Sequence, residues 1–133
     1  MIRQWIAAIA VGSALVSPAW ADDPEAGLQV FKKRCQACHA IGPEARNKVG
    51  PQLNGLFGRT AGGVDGYRYS KANKDSGIVW SEENFSEYIV NPRAYIPGTK
   101  MVFALKKPDE IAHLVAYLGQ FEADGSLVEE PGQ

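Results

Sequence analysis

The stretch Cys35-Gln36-Ala37-Cys38-His39 constrains this 133-residue chain more than any other. C-x-x-C-H is the spacing of covalent haem attachment. On a helical turn, positions i, i+3 and i+4 share a face, so Cys35, Cys38 and His39 can address one flat object together. The two thiols can add across the haem vinyl groups while the imidazole meets the iron. Three plainer readings compete. A redox dithiol of thioredoxin type belongs beside a βαβ pattern, and no alternation of strands and helices is evident. A zinc site needs four ligands, and His113 is the only other histidine. A structural disulfide across two residues would close a very small loop and add little stability. Haem attachment fits best, because His39 follows the second cysteine directly and the chain opens with an export signal.

That signal is expected over residues 1–21. Arg3 supplies the positive end, Trp5 to Val16 is an apolar run too short to span a bilayer, and Ala19-Trp20-Ala21 fits the small-x-small cleavage rule. Cleavage after Ala21 would leave one small domain over residues 22–121, followed by an acidic tail, residues 122–133, expected to be disordered. An all-protein core is only marginally stabilising at this size. A buried porphyrin would add apolar contact surface, so the haem-free chain is expected to be largely unfolded.

Charge is unevenly spread. Removing Arg3 leaves 13 basic residues against 15 acidic, but seven of the acids lie in the terminal segments. Between Ala26 and Phe121 the count is 13 basic against 8 acidic, a net of plus 5. A basic patch can therefore sit on an acidic protein, and local sign governs steering more than the total does.

Asp23-Pro24-Glu25 is a helix opening: a capping carboxylate, proline at the first helical position and an acid in the first turn. The helix carries Gly27, Leu28, Phe31 and Cys35 at spacings of three and four. Glycine inside a helix costs about 1 kcal/mol relative to alanine, and close approach by another helix is its expected use here. From Gly42 to Gly77 the chain is punctuated by glycines and lacks long periodic runs, as a segment wrapping a cofactor would. Within it and at its end, Phe57, Arg59, Tyr67, Tyr69, Asn73 and Trp80 suit one edge of a porphyrin whose propionates need donors. Ser81-Glu82-Glu83 starts a second helix with Phe85, Tyr88 and Ile89 on its apolar side, and Pro92 is read as its stop. Pro108-Asp109-Glu110 opens a last helix with Ile111, Leu114, Val115 and Leu118 as the buried stripe.

Met1 would leave with the leader, so Met101 is the only thioether left for the iron. It sits in the Pro/Gly loop Tyr95-Ile96-Pro97-Gly98-Thr99-Lys100-Met101, a poor place for core filler and a good one for a ligand. His/Met ligation leaves no open coordination position and raises the reduction potential. His113 is the main rival, along with Lys100 as an alkaline ligand; it lies on the edge of the last helix's apolar stripe, where a lone histidine is more often a partly exposed surface residue.

Together these residues resemble a class I cytochrome c, close to the mitochondrial protein and to the bacterial cytochromes c2. The resemblance runs from about Pro24 to Phe121. Besides Cys35-Gln36-Ala37-Cys38-His39 it rests on Gly50-Pro51-Gln52-Leu53-Asn54-Gly55-Leu56-Phe57-Gly58-Arg59, on the Met101 loop, and on Leu114-Val115-Ala116-Tyr117-Leu118. It implies an all-α fold, three main helices and long loops around one covalently bound haem c. It implies that Gly27 and Phe31 cross Leu114 and Tyr117, and that the Pro51 carbonyl accepts from His39. Arg59, Tyr69 and Trp80 match residues near the propionates; Asn73, Tyr88 and Thr99 match an internal hydrogen-bond network near Met101; Phe103 would cover the haem edge. Arg34, Lys48, Arg93, Lys100, Lys106 and Lys107 fall where a basic ring would surround that edge, interrupted at Ala94.

The implied function is a soluble, monomeric periplasmic electron carrier. Its partners would be membrane redox complexes, a quinol-oxidising cytochrome bc complex as donor and an oxidase, photosynthetic reaction centre or denitrification enzyme as acceptor. No nucleic-acid role, membrane embedding or catalysis is implied.

Overall fold

The computed structural model describes Ala10, Gly12 and residues 22–129. The expected leader therefore lies almost wholly outside the described residues. The described residues form five helices in order: α1 (Pro24–Arg34), α2 (Lys71–Asp75), α3 (Glu82–Val90), α4 (Pro92–Tyr95) and α5 (Pro108–Leu118). Among the described residues there is no sheet, only two isolated bridges, Thr60 with Val79 and Phe121 with Leu127. No helix among them is long and apolar enough to cross a membrane.

The helix starts follow their capping chemistry. Asp23 caps α1 by accepting from the Glu25 amide at 2.9 Å. Ser81 and Asn84 exchange reciprocal bonds at the head of α3, a capping box with asparagine in place of the usual glutamate. Proline at the first turn opens α5, with Asp109 and Glu110 on its positive end. Pro92 ends α3, as expected, but also begins α4, because Asn91 turns the chain and its side chain accepts from the Ala94 amide. The glycine-punctuated stretch holds one unforeseen element, α2, which Ser70 caps by accepting from the Asn73 amide at 3.1 Å.

α1 and α5 cross at Gly27. A β-carbon there would lie 2.6 Å from Tyr117 Cβ and 2.7 Å from the His113 carbonyl carbon, so the helices meet backbone to backbone. Phe31 packs tilted on Tyr117 at 5.6 Å. The His113 ring is at the same crossing, its Nδ1 accepting from the Asp23 amide at 3.1 Å. The core, with Phe31, Trp80, Phe85, Ile89, Leu114 and Leu118, spreads from this crossing to α3. The segment after Phe121, read from composition as a frayed tail, turns back instead: Glu122 donates to Ser126 at 2.8 Å and Val128 to Gln120 at 2.7 Å. Residues 130–133 lie outside the described residues.

Candidate functional site

At the end of α1 the backbone keeps turning: the Cys38 and His39 amides both donate to the Cys35 carbonyl, at 3.0 and 2.9 Å. That turn carries Cys35, Cys38 and His39 to the wall of a cavity of about 520 Å³. The volume lies in the range of roughly 300–1,000 Å³ usual for a cofactor or ligand site. Burial raises the Cys35 thiol to about 11, with the neighbouring Cys38 adding to the effect, so it is held as a thiol rather than a thiolate at neutral pH.

His39 is held from two sides. Its Nδ1 is 2.7 Å from the Pro51 carbonyl, which can only accept, so the proton sits on Nδ1 and Nε2 keeps its lone pair. Burial holds the imidazole below its ordinary range, and the opposing Pro51 bond is outweighed with help from Arg59 and Lys48. The neutral ring is the form that can ligate a metal. Gly50 backs it: a β-carbon at that position would sit 2.7 Å from both ring nitrogens. Sequence reading took Gly50 only as a turn residue, and nothing local in the chain announces its contact with a ring eleven positions earlier.

Three backbone hydrogen bonds bring the far wall in. Ala61 donates to Ile78 at 2.8 Å, Trp80 to Arg59 at 2.9 Å and Gly58 to Trp80 at 2.7 Å, pairing the strand-like segments that bear Arg59 and Trp80. The Arg59 guanidinium donates to the carbonyls of Gln52 and Asn54 at 2.9 and 3.1 Å, and burial draws its pKa down from the usual value. The Tyr69 hydroxyl accepts from the Val64 amide at 3.1 Å. Trp80 stacks tilted on Tyr88 at 4.8 Å.

Met101 reaches the same cavity from its loop. The Tyr88 hydroxyl donates to its Sδ at 3.1 Å, and the Met101 amide approaches Thr99 Oγ1 at 3.5 Å. Burial pushes Tyr88 up to about 12, against a pull from Thr99, so it remains a phenol and a donor. Asn73 is not joined to this pair: its Oδ1 is buried with no hydrogen-bond partner. An unsatisfied buried carbonyl costs about 1–3 kcal/mol, so a polar group is wanted in the cavity beside it.

Cys35, Cys38, His39, Pro51, Arg59, Tyr69, Asn73, Trp80, Tyr88, Thr99 and Met101 all line this one cavity. Phe57 does not. It packs edge-on against Phe85 at 5.8 Å and faces an outer groove instead, because Gly58 turns the chain just after it. His113, at the α1–α5 crossing, also lies off the cavity. Leu53, Leu56, Phe85, Ile89, Leu114 and Leu118 complete the lining. Sequence reading missed Asn54, which is buried and pairs with Gly42 on both sides, accepting from its amide and donating to its carbonyl at 2.8 Å each. A buried asparagine is legible only once its partner is known.

An apolar slot with two thiols on a turn, one imidazole with a free nitrogen, one thioether and a single orphaned polar atom fits a flat, covalently attached haem. Comparison with known proteins agrees. The Cytochrome c family model matches residues 24–122. A cytochrome c2 of Blastochloris viridis is 55% identical over 126 residues, 94% of this chain and 98% of that one. A cytochrome c-550 of Nitrobacter winogradskyi is 58% identical over 106 residues, 79% of this chain and 96% of its own. A plant cytochrome c, from Guizotia abyssinica, is 50% identical over 99 residues, 74% and 89% of the two chains.

Proposed function

Because the chain belongs to the cytochrome c family, as a class I member of bacterial cytochrome c2 type with covalent haem c and no enzymatic activity, we propose that it is a soluble periplasmic one-electron carrier. It is exported by residues 1–21, cleaved after Ala21, and works as a monomer. Its donor is a membrane quinol-oxidising cytochrome bc complex, and its acceptor is an oxidase, a photosynthetic reaction centre or a denitrification enzyme.

Cys35 and Cys38 would hold the haem by thioether bonds, and His39 and Met101 would ligate its iron. The observation that carries this is the pairing of polar partners in one cavity. Pro51 fixes the His39 tautomer with Nε2 free, and Tyr88 donates to the Met101 sulfur. When bound, the haem supplies a one-electron Fe(III)/Fe(II) couple. The protein residues bind, orient and exclude. Leu53, Leu114 and Leu118 keep water from the apolar side. Arg59, Tyr69 and Trp80 would meet the propionates, and Asn73 would offer the remaining polar contact. With an imidazole and a thioether both ligating the iron, no site would remain for a substrate, which suits storage of an electron.

The rim supports the partner reading. Arg34 and Lys100 line the mouth of the cavity, with the exposed Val102 between Met101 and Phe103. Lys48 and Lys100 are steadied by backbone carbonyls, Gln36 and Arg68, at 2.8 Å each, and neither forms an ion pair among the described residues. Such a positive rim around an apolar centre suits brief encounters with acidic membrane complexes.

Met101→Ala tests the reading. The near-infrared band of Fe(III)–sulfur ligation is expected to vanish, and reduced protein that resisted carbon monoxide is expected to bind it. A band that survives the substitution overturns the ligand assignment. Electron transfer to candidate oxidases and reaction centres should slow as ionic strength rises, and salt-independent rates with every candidate would overturn the role of the basic rim.

A further inference from the structure

We propose that residues 120–128 are a clasp that keeps the Gly42–Gly55 loop closed and thereby positions the His39 imidazole. The clasp is a tight antiparallel turn. Phe121 bridges Leu127, Val128 donates to Gln120 at 2.7 Å, and the Asp124 carboxylate accepts from the Ser126 amide and hydroxyl at 2.9 and 2.6 Å. At its tip Gly125 has φ +85°, and a β-carbon there would sit 2.6 Å from the Pro43 nitrogen and closer still to the Gly42 carbonyl. On its inner arm the Phe121 carbonyl accepts from the Gly55 amide at 3.2 Å, and a β-carbon on Gly55 would lie 2.9 Å from Ala123 Cα.

The clasp therefore grips both ends of one loop by close backbone approach. Asn54 joins those ends through its paired bonds to Gly42. Between them the chain carries Gly50, whose amide donates to Cys38 at 2.7 Å, and Pro51, the acceptor for His39. Opening the clasp removes the packing at Gly42 and the bond at Gly55 together, so the loop holding the imidazole keeps only its internal bonds, Asn54 to Gly42 and Gly50 to Cys38. The family match ends at residue 122, so residues 123–128 of the turn lie beyond it. The consequence for the iron rests on His39 being its ligand; the loop-closing role does not.

Hydrogen exchange by NMR on the haem-loaded protein tests it. Gly125→Ala forces a side chain into the Gly42–Pro43 contact. Gly77→Ala is the control, since Gly77 also has a positive φ, +69°, but open space around it. Val128→Pro is the second clasp variant, removing the bond to Gln120 without touching the loop. The Gly42 and Gly55 amides and the His39 ring N–H are expected to exchange about tenfold faster in the clasp variants and to be unchanged in the control. Acceleration in either clasp variant that is absent from Gly77→Ala supports the clasp; any other pattern overturns it. If His39 is not the ligand, its ring resonances in unsubstituted oxidised protein will lack a paramagnetic shift, a result independent of the amide rates.

Discussion

Replacing Gly27 by alanine sets two effects of opposite sign against each other. By helix propensity alone, alanine should stabilise α1 by about 1 kcal/mol. By packing it should destabilise, because the new methyl would lie 2.6 Å from Tyr117 Cβ and 2.7 Å from the His113 carbonyl carbon. Carbon atoms pack at roughly 3.5–4.0 Å, so relief requires the helices to part by about 1 Å. The obstacle is backbone, which cannot rotate away. A gap of that size forfeits roughly a quarter to a half of the dispersion energy at each contact, and overpacking of this kind costs about 1–3 kcal/mol. Phe31 and Tyr117, 5.6 Å apart across the crossing, would loosen together. At the upper end of that range the net loss is about 2 kcal/mol, or roughly 8–16 °C in melting temperature for a domain of this size. Thermal unfolding of haem-loaded protein followed by far-ultraviolet circular dichroism measures it, with the exposed Gln29→Ala as a propensity control. A Gly27→Ala protein more stable than the parent, by the full propensity gain that Gln29 cannot show, refutes the close crossing.

Three further outcomes follow from the site and its supports. Asn54→Ala strands the Gly42 amide and carbonyl and should cost about 2–3 kcal/mol, read as a lower guanidinium midpoint at unchanged slope; a shift below measurement error would contradict the paired bonds. Tyr88→Phe keeps the ring on Trp80 but removes the donor to Met101 Sδ, which favours Fe(II) by drawing charge from the sulfur. On the proposed ligation its reduction potential should fall in spectroelectrochemical titration, and an unchanged or higher value would disprove the hydrogen bond's influence. Burial raises the Tyr117 pKa in the folded state, so stability is intact below the unfolded value of about 10 and declines as pH rises above it. Tyr117→Phe should show a shallower alkaline decline, measured as the denaturant midpoint against pH; identical profiles would exclude that contribution.

Features set by neighbouring residues were legible in the chain. Asp23-Pro24-Glu25, Ser81 and Pro108 mark three helix starts because capping and fixed φ act within a turn. The turn bearing Cys35, Cys38 and His39 is equally local. Gly27 was readable as a helix contact because its propensity penalty demands a compensation elsewhere. α2 escaped notice because Lys71-Ala72-Asn73-Lys74-Asp75 has no buried residue and thus no apolar period. Pro92 misled in part, since proline stops one helix and suits the first turn of the next with equal ease. The fold around the acidic end depends on glycines meeting distant backbone at Gly42 and Gly55, and composition carries no record of that. At the site, residue types placed the candidate haem contacts on the cavity wall except Phe57, and the rival ligand His113 also lies off it. Their mutual bonds were another matter: Tyr88 reaches sulfur while the Asn73 carbonyl is left alone, a difference of side-chain aim that no spacing encodes.

Gly50 leaves the His39 imidazole no room to swivel, since anything bulkier than hydrogen at that point would collide with the ring. With the ring's edge also tethered to Pro51, both its tilt and its protonation are settled by the polypeptide before any electron arrives. On the proposed ligation, a metal gaining or losing one charge would find the nitrogen already where both oxidation states need it. Quick transfer would then come from parts of the molecule that stay still.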